Sequence, residues 1–573
     1  MKKIVLFILL LSPFYVVSQT IDWAESLKAE EKDIHIQTEV DNEGNVILCG
    51  QFSDTLDLDL GPNQNMVYSK GHSDVFIAKY TPDAQLIWAV SFGGPIWESV
   101  LYLDIDNNNN IVLSGTLGSN VDFDPSANDY IVNPDSTAAS FQSQIYIAKY
   151  STDGEFKWVS HYGSLHTIVD NIAATTVDQN GHIHVNGHVT SDTIIVTSPF
   201  DVDSVSSPGG SFLFKFDPSG HLVKKYTLDD IFLYNTSVTK NNKLLTCGYF
   251  TDSIVDFDPD TTMNNVSINN NSSPFVAKYN LNYSPTWAKT IGPTYSFPVG
   301  YIYFVIPHKN GDFSLYGRFK SDSMNIAFNS YSPYYIEGSS LHSNSFVARY
   351  DSSGNIKFGK SFTATTDYMQ PNSAIVDRND NLFISGYFKG QINFNNPNSP
   401  NYTFQSNDKN LFWAIYSPAG KFLSASHFAG DGSALFSDFA IGLNNEIYYS
   451  GNFYKNIDVN PLQNDQTSLT ESGRGFFIVK YHNTVGVGDN NLSKRDLKLA
   501  PNPVLAGSKI NIPEDSQTNF SSVEVFNING ASILSSKIEK NEFYLPSEMA
   551  PGFYLVKLYD KNNRYHTAKL IVK

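Results

Sequence analysis

Phe76-Ile77-Ala78-Lys79-Tyr80 decides the fold, because the chain repeats it: Tyr146-Ile147-Ala148-Lys149-Tyr150, Phe214-Lys215-Phe216, Phe275-Val276-Ala277-Lys278-Tyr279, Phe346-Val347-Ala348-Arg349-Tyr350, Trp413-Ala414-Ile415-Tyr416 and Phe477-Ile478-Val479-Lys480-Tyr481. Short aromatic and β-branched runs of this kind suit a pleated strand. An apolar strand ending in Gly precedes each copy, first Val46-Ile47-Leu48-Cys49-Gly50, then runs ending at Gly115, Gly187, Gly248, Gly317, Gly386 and Gly451. Gly50 and Gly451 stand 401 residues apart, as do Tyr80 and Tyr481, so six steps average about 67 residues. Two independent landmarks share one period. A third lies eight residues beyond the aromatics, at Trp88, Trp158, Lys224, Trp287, Phe358 and Ser424, with Thr81, Ser151, Asp217, Asn280, Asp351 and Ser417 seven positions earlier. That spacing predicts a hairpin of fixed length, whose turn residues Asp153-Gly154, Pro218-Ser219-Gly220 and Ser353-Gly354 supply φ > 0 positions.

Ile21-Asp22-Trp23-Ala24 matches Ile87-Trp88-Ala89 in kind, and no such strand follows Tyr481. The expectation is that the leading segment supplies the last repeat's outer strand, closing a ring and removing exposed sheet edges. The predicted fold is all-β: a seven-bladed β-propeller over residues 19–481 closed by an N-terminal strand, a linker over 482–496 and a small β-sandwich over 497–573.

Composition bounds the partners. Over 573 residues, Lys plus Arg number 39 against 57 Asp plus Glu, a formal charge of -18 that repels nucleic acid and anionic membranes, so neither is expected as a partner. Two cysteines make no disulfide framework, and Cys49 and Cys247 hold the same register in the first and fourth repeats, so two buried free thiols are predicted. Met1 to Ser18 carries Lys2, Lys3 and the apolar run Ile4 to Leu11, then Ser12-Pro13, which reads as a signal peptide cleaved between Ser18 and Gln19. The run is too short to span a bilayer, and no later segment is apolar enough. A monomer is expected.

After the linker, Ala500-Pro501-Asn502-Pro503, Val525-Phe526-Asn527-Ile528-Asn529-Gly530, Leu545-Pro546, Pro551-Gly552-Phe553-Tyr554 and Lys569-Leu570-Ile571-Val572-Lys573 resemble the type A sorting domain of type IX secretion. The resemblance implies the type IX machinery as a partner, and a secreted or outer-membrane-surface location. Asp377-Arg378-Asn379-Asp380-Asn381-Leu382-Phe383-Ile384-Ser385-Gly386-Tyr387 resembles the bacterial β-propeller repeat called SBBP, across residues 20 to 481. That likeness implies architecture and location rather than chemistry. The hairpin from Ser151-Thr152-Asp153 to Trp158 loosely resembles the Asp-box turn of sialidase-type propellers, but its Gly is displaced by one position and other copies lack the acid. No glycosidase activity is read from it.

Candidate chemistry is sparse. Asp57-Leu58-Asp59, Asp122-Phe123-Asp124-Pro125, Asp256-Phe257-Asp258-Pro259 and Asp458-Val459-Asn460-Pro461, with Asn393-Phe394-Asn395 as a neutral echo, place pairs of oxygen ligands on one strand face. Ca²⁺ needs six to eight ligands, so turn-forming acids are the plainer reading. The loops at Asp41-Asn42-Glu43-Gly44-Asn45 and Asp106 to Asn110 are too short for an EF-hand and read as tight turns. His182, His184 and His188 cluster around one Gly strand without an acid partner placed by sequence. Asp54-Thr55-Leu56, Asp192-Thr193-Ile194, Asp252-Ser253-Ile254 and Asp322-Ser323-Met324 resemble the O-glycosylation signal of bacteria that use type IX secretion, or else are turns leading into strands. No nucleophile elbow, P-loop, HExxH or CxxC motif occurs, and no cofactor or metal is implied. The expected function is an exported scaffold binding glycan or protein ligands; the alternatives are an extracellular polysaccharide hydrolase or lyase with acids at one mouth of the ring, and a purely structural surface protein.

Overall fold

The Gly strands are buried on both faces: Val46, Ile47, Leu48 and Cys49 are all inaccessible, as are Ile111, Val112 and Leu113. A strand with no polar face needs a sheet on either side of it. A computed structural model describes residues 20–29, 35–126, 128–133, 144–164, 171–189, 193–206, 210–251, 254–258, 265–267, 273–292, 300–328, 332–366, 369–394, 402–428, 430, 434, 436–460, 467–482, 499–512, 520–527, 532–538, 541–560 and 565–573. The cleavage point at Ser18 and Gln19 and the linker beyond His482 lie outside them. The described residues are all-β, with no α-helix and so none long and apolar enough to cross a membrane. The chain divides into two compact bodies, residues 1–485 and 486–573.

Among the described residues of the first body, antiparallel four-strand sets recur, one extended to a six-stranded sheet and two joined in an eight-stranded one. Each runs leading strand, Gly strand, aromatic strand, outer strand, as in Ile36–Val40, Val46–Phe52, Asp74–Tyr80 and Leu86–Phe92. The leading strands of repeats 2 to 7 are Glu98–Ile105, Asn171–Val177, Ile231–Val238, Gly300–Pro307, Met369–Val376 and Ser437–Ile441. Repeat 7 takes its outer strand from Thr20–Ala29, which pairs with Ser468–His482, placing Ile21 opposite Tyr481 and Trp23 opposite Lys480. Each leading strand lies against the next, and Ser437–Ile441 returns to Ile36–Val40.

The core follows the same order. Among the described residues seven apolar clusters each join adjacent repeats; one packs Ile47, Val75 and Ile77 of repeat 1 on Val100, Leu113 and Tyr146 of repeat 2. Another packs Tyr448, Phe476 and Ile478 of repeat 7 on Ile36, Leu48 and Phe76 of repeat 1. No repeat buries its apolar faces alone, so neighbouring repeats are mutually required.

The long segment between Gly strand and aromatic strand is more ordered than a loop. It forms a second hairpin, as in Thr55–Asp57 with Met66–Tyr68 and Ser323–Asn325 with Tyr335–Glu337. Outer strands extend onto the next repeat's second hairpin, with Tyr162 opposite Val196 and Ala364 opposite Ile392. In the second body Ser532–Lys537, Phe520–Asn527, Gly552–Asp560 and Tyr565–Val572 form one antiparallel sheet, and Lys509–Asn511 pairs with Glu542–Tyr544. They enclose a core of Ile510, Val523, Val525, Phe543, Val556, Leu558 and Leu570.

Candidate functional site

Most residues singled out by the sequence hold the repeats together. Asp57 Oδ1 accepts the amides of Asp59 and Asn65 at 3.1 and 2.8 Å, and Asp122 Oδ1 accepts those of Asp124 and Tyr130 at 3.1 and 2.9 Å. Asp256 and Asp458 cap the amides of Asp258 and Asn460 in the same way. These Asx turns fold the second hairpin and expose the carbonyl of the residue after the capping one. The buried motif tyrosines donate to it: Tyr80 to Leu58 O at 2.8 Å, Tyr150 to Phe123 O at 2.9 Å, Tyr350 to Ile326 O at 2.6 Å and Tyr481 to Val459 O at 3.0 Å. The leading acid of each pair accepts backbone amides, which is turn chemistry.

The motif cation ties every repeat but the sixth to its neighbour. Lys79 Nζ pairs with Asp41 of its own leading turn at 2.9 Å, and Lys149 pairs with Asp106 at 2.8 Å, all four side chains buried. Burial alone would raise the Asp41 carboxyl, but Lys79 and Asn45 hold it below its usual range. The motif cations donate to the carbonyl two residues past the motif aromatic in the following repeat: Lys79 to Thr152, Lys149 to Pro218, Lys215 to Leu281, Lys278 to Ser352, and the Arg349 guanidinium to Pro418. Lys480 of the last repeat reaches Pro82 of the first at 3.1 Å, joined there by the Trp23 indole at 3.0 Å. Trp88 and Trp158 reinforce the links to Thr152 and Pro218. Repeat 6 has Ile415 in place of the cation; there Asn381 and Asn445 satisfy Asp377 instead.

The three histidines part company. His184 is buried between Asp178 and the Tyr283 hydroxyl, whereas His188 bonds Ser211 beside Phe232 and Tyr234. Burial lowers the His184 pKa, so it stays neutral near pH 7. The acid partner that sequence spacing did not supply is Asp178, from the preceding turn, which also bonds His182. Among the described residues no three His, Cys, Asp or Glu side chains converge as metal ligands. Cys49 and Cys247 are buried and free. In the glycosylation-like tripeptides, Thr55 is half-buried and Ser323 exposed, while Asp192, Asp252 and Ser253 lie outside the described residues.

Two groups missed by sequence reading lie on the leading strands. Glu39 of repeat 1 has Asp104 of repeat 2 and Asp438 of repeat 7 as charged neighbours, and burial plus their charges raise its pKa well above the usual value. Burial pushes Asp104 and Asp438 up to about 6. Asp104 accepts the Val177 amide at 2.7 Å; Asp438 accepts the Thr38 amide at 3.1 Å and the Ser373 hydroxyl at 2.9 Å. Each thus caps an amide of an adjacent leading strand. Glu39 and Asp104 stand two residues before the turn acids Asp41 and Asp106, a position readable only once the strands are aligned.

The second group is aromatic. Residues immediately after each Gly, namely Gln51, Thr116, His188, Tyr249, Arg318, Tyr387 and Asn452, share one register at the start of the leading strands. Over repeats 4 and 5 they join a half-buried tyrosine cluster: Tyr234 stacks on Tyr303 with centroids 5.4 Å apart, Tyr249 meets Tyr234 at 5.5 Å and Tyr301 at 5.8 Å, and Phe232 stacks on Tyr249 at 4.8 Å. The Arg318 guanidinium lies 5.9 and 6.0 Å from the Tyr301 and Tyr303 centroids, held by the Gln370 amide oxygen at 3.1 Å. Farther along these strands, Asn235, Ser237, Phe304, Ile306 and Ile375 line a cleft of about 250 Å³. The tyrosines escaped sequence analysis because they occupy variable positions that the repeat pattern leaves free.

Residues 498–573 match the secretion system C-terminal sorting domain family. The chain therefore carries a type IX sorting domain, which directs it to the cell surface or the extracellular space. An uncharacterized WD repeat-containing protein of Acanthamoeba polyphaga mimivirus is 25% identical over 237 residues, 37% of this chain and 17% of that protein, so the match spans about a sixth of the curated relative. Among solved structures, PorZ of Porphyromonas gingivalis, a surface component of the type IX secretion system, is 12% identical, covering 93% of this chain and 74% of that one at a TM-score of 0.23. The Ruminococcus gnavus intramolecular trans-sialidase in complex with oseltamivir carboxylate is 9% identical, covering 74% and 90% at a TM-score of 0.31. A Bacteroides caccae protein of unknown function is 9% identical, covering 60% and 92% at 0.29. Overlap of this quality says nothing about a ligand.

Proposed function

We propose that residues 19–481 form a closed seven-bladed β-propeller of SBBP type, preceded by a cleaved signal peptide, that acts outside the cell as a non-enzymatic scaffold binding a glycan or protein ligand. Among the described residues, the recurring four-stranded sets, the inter-repeat clusters and the Lys480 to Pro82 link support the ring. The tyrosine cluster around Tyr234, Tyr249, Tyr301 and Tyr303 carries the binding reading. It lies at one mouth of the proposed channel, where half-buried rings offer apolar faces with polar rims, the usual make-up of a ligand site on a stiff scaffold. Glycan and extracellular-matrix protein arrays probed with the full chain are the test. Binding that Tyr303→Ala weakens tenfold or more, with the melting temperature held within a few degrees, is the expected result; binding indifferent to Tyr303 and Tyr234 would sink it.

The convergence of Glu39, Asp104 and Asp438 favours a second reading, a polysaccharide hydrolase or lyase, since acids with pKa values pushed upward can serve as general acids. Against it, Asp104 and Asp438 are engaged by neighbouring amides. Release of oligosaccharides from an extracellular polysaccharide, abolished by Glu39→Gln, would reverse this preference.

A further inference from the structure

Among the described residues, Arg318 is a cation without an anion. Around it stand the Gln370 amide oxygen, the faces of Tyr301 and Tyr303, and Tyr387, whose phenol burial pushes up and the nearby guanidinium only partly brings back. Among the described residues no carboxylate lies within ion-pair reach of it, although the chain holds 57 acids against 39 Lys and Arg. The motif arginine of the same repeat, Arg349, is by contrast closed off by Asp312 and Asp380. A guanidinium offers five donors in a planar fork, and Gln370 takes one. Its aromatic neighbours exclude water from one side, which strengthens attraction to an incoming anion.

We infer that the mouth formed by repeats 4 to 6 takes a carboxylate-bearing glycan, a sugar face lying on the tyrosines and its carboxylate on Arg318. This deepens the binding reading above and rests on it. A sugar ring presents C–H groups on one face and hydroxyls around its edge, which suits stacked phenols rimmed by Gln370 and Tyr387. Bidentate pairing of guanidinium with carboxylate supplies the chemical selectivity. Charge complementarity argues for this occupant: a protein of formal charge -18 repels an acidic polymer except where an unneutralised cation is held at the mouth. The acidic leading strands belong to repeats 7, 1 and 2, whereas Arg318 belongs to repeat 5.

The test is calorimetric titration of the full chain with oligogalacturonate, alginate and hyaluronan fragments and with the methyl esters of each. The expected result is binding of at least one acid form, tenfold or more weaker for its ester, with the acid form alone losing affinity as salt rises. Arg318→Gln should abolish the difference between acid and ester, and Arg318→Lys should restore part of it. Equal binding of acid and ester by the wild type, or an Arg318→Gln protein that still discriminates, overturns the carboxylate inference and leaves the tyrosine platform standing. Binding of phosphorylated peptides in place of every sugar overturns it as well. If no probe binds and array binding is indifferent to Tyr303→Ala, the platform reading falls too.

Discussion

Lys79 shows why one small motif recurs. Its ammonium is buried, and it bonds Asp41 in its own repeat and the Thr152 carbonyl and hydroxyl in the next, so one side chain closes a turn and clasps an interface. Removing one partner of such a pair leaves a bare charge in a dry place, which costs about 3–5 kcal/mol. Lys79→Met should therefore destabilise the first body by roughly that amount in urea unfolding, and Asp41→Asn combined with it should recover part of the loss. A change under about 0.5 kcal/mol would mean the pair is solvated and the motif cation dispensable. The Gly that ends each buried strand has an equally local cause. A Cβ on Gly115 would sit 1.9 Å from the Ser99 carbonyl, and one on Gly248 1.9 Å from that of Phe232, where the leading strand bulges toward it. The motif aromatic covers the bare backbone from the other strand, as Phe76 covers Gly50.

Among the elements, Thr20–Ala29 carries the most consequence for its length. Its register on Ser468–His482 runs nearly unbroken from Thr20 opposite His482 to Ala29 opposite Arg474, and it brings Trp23 onto Tyr448 and onto the Pro82 carbonyl. Without it, the long Ser468–His482 strand would present an open edge. A chain lacking residues 20–29 should form concentration-dependent oligomers in size-exclusion light scattering, and a synthetic peptide of those residues should return it to monomer. A deletion variant that stays monomeric with unchanged melting would show that the repeats hold together without it. Trp23 made this strand legible beforehand, because it reproduces the Trp88 signature at the wrong end of the chain. The second hairpins were not legible. Their strands are two to five residues long, and their acids read as loop acids until the tyrosine hydroxyls are seen to need the carbonyls those turns expose.

At the scale of the molecule, the carboxylates of repeats 7, 1 and 2 gather where three leading strands meet; burial raises all three, and the charges of Asp104 and Asp438 raise Glu39 further. Between about pH 4 and 6 the folded chain then binds more protons at these groups than the unfolded chain, so their contribution to stability falls as pH rises. Asp438→Asn removes one such charge while keeping an oxygen for the Thr38 amide. Its melting temperature relative to wild type should climb between pH 5 and pH 7.5; a difference flat across that range would mean Asp438 titrates normally.

Period, strand type and turn chemistry are local, and local patterning is written in the chain, so the all-β character, the seven repeats of the motif, the free thiols and the sorting domain could be read from it. What converges across repeats could not. Glu39 and Asp438 are 399 residues apart, and Tyr234 and Arg318 are 84 apart, at positions whose residue type varies from repeat to repeat. Only the pairing of strands and the return of the last repeat to the first bring them together, because side chains on different sheets meet through packing, which no spacing along the chain encodes.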